Sequence, residues 1–280
     1  MNIGIIGLGL MGGSFARVLK KHGHTVYAYD LSESVMRKGE LMKAYDHPLT
    51  VEVADRVDML VAAVFPSSFG SAIEDYLPHL KSGAIVTDFC GTKGRVVEEM
   101  KAFSVKFPEL VFVGGHPMAG REYSGIEHSA INLFDKASMI LVPVVADIYA
   151  LDAMKKFFLS LGFGSVVFTT ARDHDETIAY TSQLCHIVSN AYVKNKCAER
   201  HYGFSAGSYK DLTRVARLDP EMWAGLMTEN REELSSELAE LIGNLNEYLS
   251  ALRSGDESAL RSLLAEGNER KIAIDGKNKS

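Results

Sequence analysis

Residues Asn2 to Ser14 read NIGIIGLGLMGGS, a β-branched run that breaks at glycine and then turns helical. Gly7-x-Gly9-x-x-Gly12 between a strand and a helix is the pattern of dinucleotide-binding turns. Gly7 permits the tight turn, Gly9 lets the backbone approach a pyrophosphate, and Gly12 allows close packing of helix on strand. Leu10 and Met11 open the helix, whose N-terminal amides attract phosphate. The next strand-like run, TVYAYD, ends at Asp30, 18 positions beyond Gly12. An acid there accepts hydrogen bonds from ribose hydroxyls and repels a 2′-phosphate, which favours NAD over NADP; capping the strand end is its plainer role.

Five further runs, MLVAAV, AIVTDF, LVFVGG, ASMILVPV and SVVFTT, alternate with helical patterns up to about Thr170. Such alternation implies a mainly parallel sheet covered by helices. After Arg172 the strand-like runs vanish, and helices follow with breaks at Gly203 to Gly207, Leu218 to Pro220 and Ser254 to Asp256. The expected fold is α/β, with an N-terminal Rossmann-type dinucleotide-binding domain over 1–170 and an all-helical C-terminal domain over 171–280. In the latter, Leu234, Leu238, Leu241, Leu245, Leu249 and Leu252 form one apolar stripe. Burial within the domain is the default for such a stripe; sealing a subunit interface is the alternative.

At 280 residues, 46% hydrophobic and 24% charged, the chain can bury a substantial core. A net charge of −6 with interspersed signs supplies no basic patch for nucleic acid. The apolar runs fall short of a membrane span and the start lacks the features of a signal peptide, so a cytoplasmic protein is expected. Cys90, Cys185 and Cys197 are odd in number and lack CxxC spacing, which suggests buried thiols and neither disulfides nor a metal site.

His116, in Gly114-Gly115-His116-Pro117, follows the run LVFV and should emerge at the carboxyl edge of the sheet, where α/β folds bind ligands. It is a candidate base, with a structural turn as its alternative. Ser182 and His186, four apart, share a helix face, as do Asp211 and Arg214 at a spacing of three. Arg214 offers a planar fork for a carboxylate that Asp211 can hold; an ordinary surface ion pair is the bland reading. Asp219-Pro220 reads as an N-cap and first helical residue, which puts Trp223 in the first turn, where packing against Leu218 would also account for it.

Taken together, GLGLMGGS, DFCGTKG (Asp88–Gly94), GGHPMAGREYSG (Gly114–Gly125), SQLCH and KDLTRVARLDPEMW resemble the prephenate dehydrogenase family, in the family's order and over nearly the whole chain. The resemblance implies NAD-dependent oxidative decarboxylation of prephenate on the route to tyrosine. It makes His116 the group that accepts a hydrogen bond from the substrate's ring hydroxyl. Arg214 becomes a carboxylate anchor, with Asp211, Ser182, His186 and Trp223 around the same cleft and Glu122 ordering or gating it. It also implies a homodimer through the helical domain.

Three positions depart from the family pattern. Gly91 stands where many relatives have a serine that contacts substrate and nicotinamide, a role open to Thr92, to Cys90 or to water. Arg121 adds a cation that can bind a second carboxylate, with surface exposure as the alternative. Cys185 replaces a common proline, which should relieve a helix kink. Prephenate versus arogenate is left open. More distant alternatives are a β-hydroxyacid dehydrogenase, for which helical Lys194 or Lys196 would supply the catalytic lysine, and a non-catalytic NAD-binding sensor.

Overall fold

The computed structural model describes residues 1–121 and 123–277. Eight strands form one sheet: β1 (Asn2–Ile6), β2 (Thr25–Tyr29), β3 (His47–Pro48), β4 (Met59–Ala62), β5 (Ile85–Asp88), β6 (Val111–Pro117), β7 (Ser138–Val145) and β8 (Ser165–Phe168). Their order is β3-β2-β1-β4-β5-β6-β7-β8, and every pairing is parallel except β6 with β7. The order reverses between β1 and β4, the switch point beside which doubly wound sheets bind ligands. The seven runs read from the sequence become seven of these strands. The eighth, β3, is two residues long and carries no periodicity to read.

Helices α1 (Leu10–Lys21), α2 (Glu33–Leu41), α3 (Phe69–Ile73), α4 (Gly94–Lys106) and α5 (Ile148–Ser160) accompany the sheet. β1 is buried almost throughout because both its faces are covered, which is why NIGII reads as a continuous apolar run and not an alternating one. Two apolar clusters line the sheet, one containing Ile3, Ile5, Phe15 and Phe158, the other Ile6, Leu60, Phe69 and Phe112.

Beyond β8 all regular structure among the described residues is helical, including α6 (Ala171–Ile178), a π-helical turn over Ala179–Leu184, α7 (Cys185–Tyr192), α8 (Gly207–Thr213), α9 (Pro220–Glu229), α10 (Arg231–Ser254) and α11 (Glu257–Lys277). The chain divides into two compact units, Met1–Asn230 and Arg231–Ser280, so α6 to α9 belong with the sheet. In the second unit α10 packs on α11, with the Tyr248 hydroxyl donating to the Leu263 carbonyl at 3.2 Å.

Several local expectations need correction. The leucine stripe is not buried along its length: Leu245 is 57% and Leu252 63% exposed, because a two-helix unit has too little volume to cover both its apolar faces. Of the cysteines only Cys90 is buried; Cys185 and Cys197 are exposed, in helical turns that leave one side to solvent. Lys194 and Lys196 lie past the end of α7 and are exposed, off the helix that would have aimed them. No straight helix runs through 182–186. The π turn ends in Cys185, whose N–H donates to the Ser182 carbonyl, so the irregularity persists without a proline. No helix among the described residues is long and apolar enough to cross a membrane.

Candidate functional site

The glycine turn is shaped by what its residues lack. Gly7 sits at φ +90°, and a Cβ there would come within 2.5 Å of the Ala63 carbonyl oxygen. A Cβ on Gly12 would overlap the Gly7 carbonyl oxygen, so helix and turn approach backbone to backbone. A Cβ on Gly9 would meet nothing within 4 Å. Gly9 is the N-cap of α1 and supplies no side-chain cap, and the first turn, which holds Leu10, Met11 and Gly12, carries no acidic residue. Unfilled space therefore faces uncapped helix amides, the arrangement that accommodates a pyrophosphate. Asp30 already holds this turn: Oδ2 accepts from Leu8 N–H at 2.8 Å and Oδ1 from Ser32 N–H at 2.9 Å. A carboxylate has acceptor sites left for a ribose hydroxyl after two such bonds.

Beside this turn, the ends of β5 and β6 carry a buried polar layer. The Asp88 and Lys93 side chains are completely buried and form an ion pair. Asp88 Oδ1 accepts from Gly115 N–H at 2.9 Å, Oδ2 accepts from Cys90 N–H at 2.8 Å, and Lys93 Nζ also donates to the Gly115 carbonyl at 2.7 Å. The pair thus grips Gly115 at both its amide and its carbonyl. A Cβ on Gly115 would come within 2.5 Å of the Asp88 carbonyl oxygen, so no larger residue fits between the strands.

His116 follows directly, near the C-terminal end of β6, with part of its surface accessible. Its Nδ1 lies 2.9 Å from Nε2 of His174, and His174 Nδ1 lies 2.6 Å from Asp175 Oδ1. Asp175 in turn accepts from Lys93 N–H at 2.8 Å and Gly94 N–H at 2.7 Å, which caps α4 from a residue 82 positions away. Burial first, then the Lys93 ammonium and His174, hold the His116 imidazole well below its usual range. Burial, with Asp88 beside it, pushes the Cys90 thiol well up, and its Sγ–H is directed to the Val64 carbonyl at 3.3 Å. Cys90 is an inert structural thiol.

The helices close over these strand ends. Asn230 Nδ2 donates to the Asp175 carbonyl and to Gln183 Oε1, each at 2.9 Å, and Gln183 Nε2 donates to the Leu226 carbonyl at 3.1 Å. A Cβ on Gly91 would lie 3.2 Å from Leu226 Cδ2, so α9 occupies the space a side chain at 91 would enter. Thr92 is buried, and its hydroxyl has no hydrogen-bond partner among the described residues. Asp219 caps α9 by accepting from the N–H groups of Glu221 and Met222 at 3.0 and 3.1 Å. Trp223 stacks on His186 with ring centroids 3.8 Å apart. Ser182 and His186 are joined through the Ser182 carbonyl, which accepts from His186 Nδ1–H at 2.9 Å, and not through the hydroxyl.

The structure thus brings His186 and Trp223 together and sets α9 against Gly91, while Asp211 and Arg214 stand exposed at the end of α8. Arg121 is exposed, and Glu122 lies outside the described residues. Sequence reasoning missed Lys93, Asp88, His174 and Asp175. The signals were present: two charges inside DFCGTKG at a strand end, and an adjacent His-Asp pair opening the first helix after the last strand.

An open glycine turn at the switch point of a mainly parallel sheet, with a neutral histidine at the C-terminal end of another strand of that sheet, is the plan of a nucleotide-dependent dehydrogenase. Comparison with known proteins narrows this class. The family model described as "Prephenate dehydrogenase, nucleotide-binding domain" matches residues 15–167, and "Prephenate dehydrogenase, dimerization domain" matches residues 170–266. The chain belongs to the prephenate dehydrogenase family of oxidoreductases. It is 29% identical over 285 residues to a cyclohexadienyl dehydrogenase of Zymomonas mobilis, covering 98% of this chain and 96% of that protein. It is 28% identical to a prephenate dehydrogenase of Lactococcus lactis, covering 97% and 77%. Among solved structures, Synechocystis arogenate dehydrogenase superposes with a TM-score of 0.82 at 25% identity, covering 98% and 100%. Aquifex aeolicus prephenate dehydrogenase, in complex with hydroxyphenyl propionate and NAD+, gives 0.81 at 27%, covering 98% of each chain.

Proposed function

We propose that this protein oxidatively decarboxylates prephenate to 4-hydroxyphenylpyruvate with NAD, in tyrosine biosynthesis. The observation that carries the reading is His116: a partly accessible imidazole, held neutral at the strand-end edge of the sheet and aimed by a buried partner. NAD, when bound, accepts the hydride released from the substrate ring. Gly7, Gly9, Leu10, Met11 and Gly12 hold its pyrophosphate, Asp30 its ribose, and Gly91 and Thr92 border the nicotinamide. His116 accepts the hydrogen bond of the ring hydroxyl and draws on its proton. Arg214, supported by Asp211, grips a carboxylate; Arg121 takes a second. Ser182 and the His186–Trp223 stack wall the cleft. Loss of carbon dioxide leaves an aromatic ring, so the protein's work is alignment and partial charge stabilisation.

The unpartnered hydroxyl of buried Thr92 supports that residue, and not Cys90, as the replacement for the family serine. The division of labour follows the chain, with 1–170 binding NAD and 171–280 binding substrate and pairing two copies. Exposed Leu245, Leu249 and Leu252 support a homodimer. The unpaired, exposed thiols of Cys185 and Cys197 suit a reducing cytoplasm.

The purified protein, given NAD and either prephenate or arogenate, should reduce the cofactor with prephenate. His116→Ala should nearly abolish that turnover and Arg214→Lys should raise KM. Faster reduction with arogenate, a substrate suggested by the Synechocystis relative, would replace the substrate and keep the mechanism. No reduction with either would overturn the reading.

A further inference from the structure

Beneath His116 runs a hydrogen-bond chain that none of these roles uses. Asp175 accepts two backbone N–H groups at the N-terminus of α4, Lys93 at 2.8 Å and Gly94 at 2.7 Å, where the helix dipole favours a carboxylate. An ionised carboxylate only accepts, so the 2.6 Å contact from His174 Nδ1 requires that nitrogen to carry a proton. In the Nδ1–H tautomer of His174 the other nitrogen, Nε2, is the acceptor. The 2.9 Å contact with His116 therefore needs a proton on His116 Nδ1. That leaves His116 Nε2 unprotonated, which is the state a base requires.

We infer that His174 is a positioning residue that fixes His116 as its Nδ1–H tautomer, with Asp175 orienting His174 and the N-terminus of α4 anchoring Asp175. The inference rests on the reading of His116 as the base. His116 lies beside the buried Lys93 cation, and a further positive charge there would be costly, which favours a neutral His116 ring. The partner of one imidazole nitrogen determines which of the two bears the proton, and in serine proteases loss of the orienting carboxylate alone lowers turnover by about 10⁴-fold. His174 reaches His116 from α6, across 58 residues of chain. The catalytic orientation of β6 is thereby set by the first helix after the sheet.

The test uses the full-length protein labelled with ¹⁵N-histidine. Long-range ¹H–¹⁵N spectra, assigned for His116 by His116→Gln, should show its proton on Nδ1. His174→Leu should shift that signal toward the Nε2–H form and lower kcat by about 10²-fold or more, with KM and NAD affinity within about threefold. His174→Gln, whose amide oxygen can accept from Nδ1–H, should restore most of both. A wild-type His116 protonated on Nε2 would overturn the inference, as would an unchanged tautomer and kcat in His174→Leu. If the leucine variant fails to fold, the wild-type spectrum and the glutamine variant still decide. If His116→Ala keeps its activity, the reading of His116 as base falls, whereas the spectrum still judges the hydrogen-bond chain by itself.

Discussion

The turn between β1 and α1 and the polar layer beneath His116 lie at the same edge of one sheet and are built on opposite plans. At Gly9 an added Cβ would touch nothing, and the helix amides of α1 are left without a side-chain cap. Around Gly115 each charge is met: Asp88 by two backbone amides and an ammonium, Lys93 by a carboxylate and a carbonyl. A region that must admit a ligand leaves its donors unsatisfied. A region that must hold one imidazole still pairs its charges, since a buried unpaired charge would cost several kcal/mol.

Breaking the filled region should therefore have the largest effect. Asp88→Ala leaves Lys93 buried without its carboxylate and should cost about 3–5 kcal/mol in urea denaturation, and Asp88→Leu combined with Lys93→Met should recover a good part of that. A loss under about 1 kcal/mol would mean the layer is not interlocked. In the open region, two glycines separate fold from ligand. Gly12→Ala forces α1 off the Gly7 carbonyl and should cost about 1–3 kcal/mol of stability. Gly9→Ala should leave stability within about 1 kcal/mol yet weaken NAD by about tenfold or more in calorimetric titration, because its methyl enters space meant for phosphate.

Protonation probes the filled region more gently. An unfolded histidine titrates near 6.5, and His116 in the folded chain titrates well below that. Between the two values unfolding takes up a proton. The contribution of His116 is thus fully present above pH 6.5 and is lost as pH falls toward the folded value, by at most about 1.4 kcal/mol per pH unit. Denaturation curves collected from pH 7 to pH 5 should show wild type losing stability faster than His116→Gln; parallel losses would contradict the depressed value.

The same contrast explains what could be read in advance. The glycine turn is legible because its constraints act within six residues: a positive φ at Gly7 and a backbone contact at Gly12 admit no other side chain. Strand runs are legible because burial on both faces makes them uniformly apolar. The polar layer joins Asp88 to Gly115 across 27 residues and Asp175 to Lys93 across 82, separations that no local pattern encodes. His116 is marked by its motif, while His174, which contacts it, stands in a polar stretch of α6 with no such motif. The π turn at Ala179–Leu184 was hidden for a related reason, because its Ser182 carbonyl is satisfied by a side chain and an amide that helical periodicity does not anticipate.

Gly91 and Thr92 follow the end of β5, and changes there should have small effects. A Cβ at 91 would lie 3.2 Å from Leu226 Cδ2, close enough that the leucine must yield by a few tenths of an ångström. Gly91→Ser should accordingly cost less than about 1.5 kcal/mol, and that cost should disappear when Leu226→Ala opens the space. The added hydroxyl should change kcat by no more than about threefold if Thr92 already supplies the contact. Thr92→Val keeps the shape and removes the hydroxyl, and it should lower kcat/KM by about tenfold, the loss expected of one neutral hydrogen bond to a ligand. If Gly91→Ser instead raises turnover well above wild type while Thr92→Val does nothing, the buried hydroxyl is not the substitute, and the site works without the contact its relatives make.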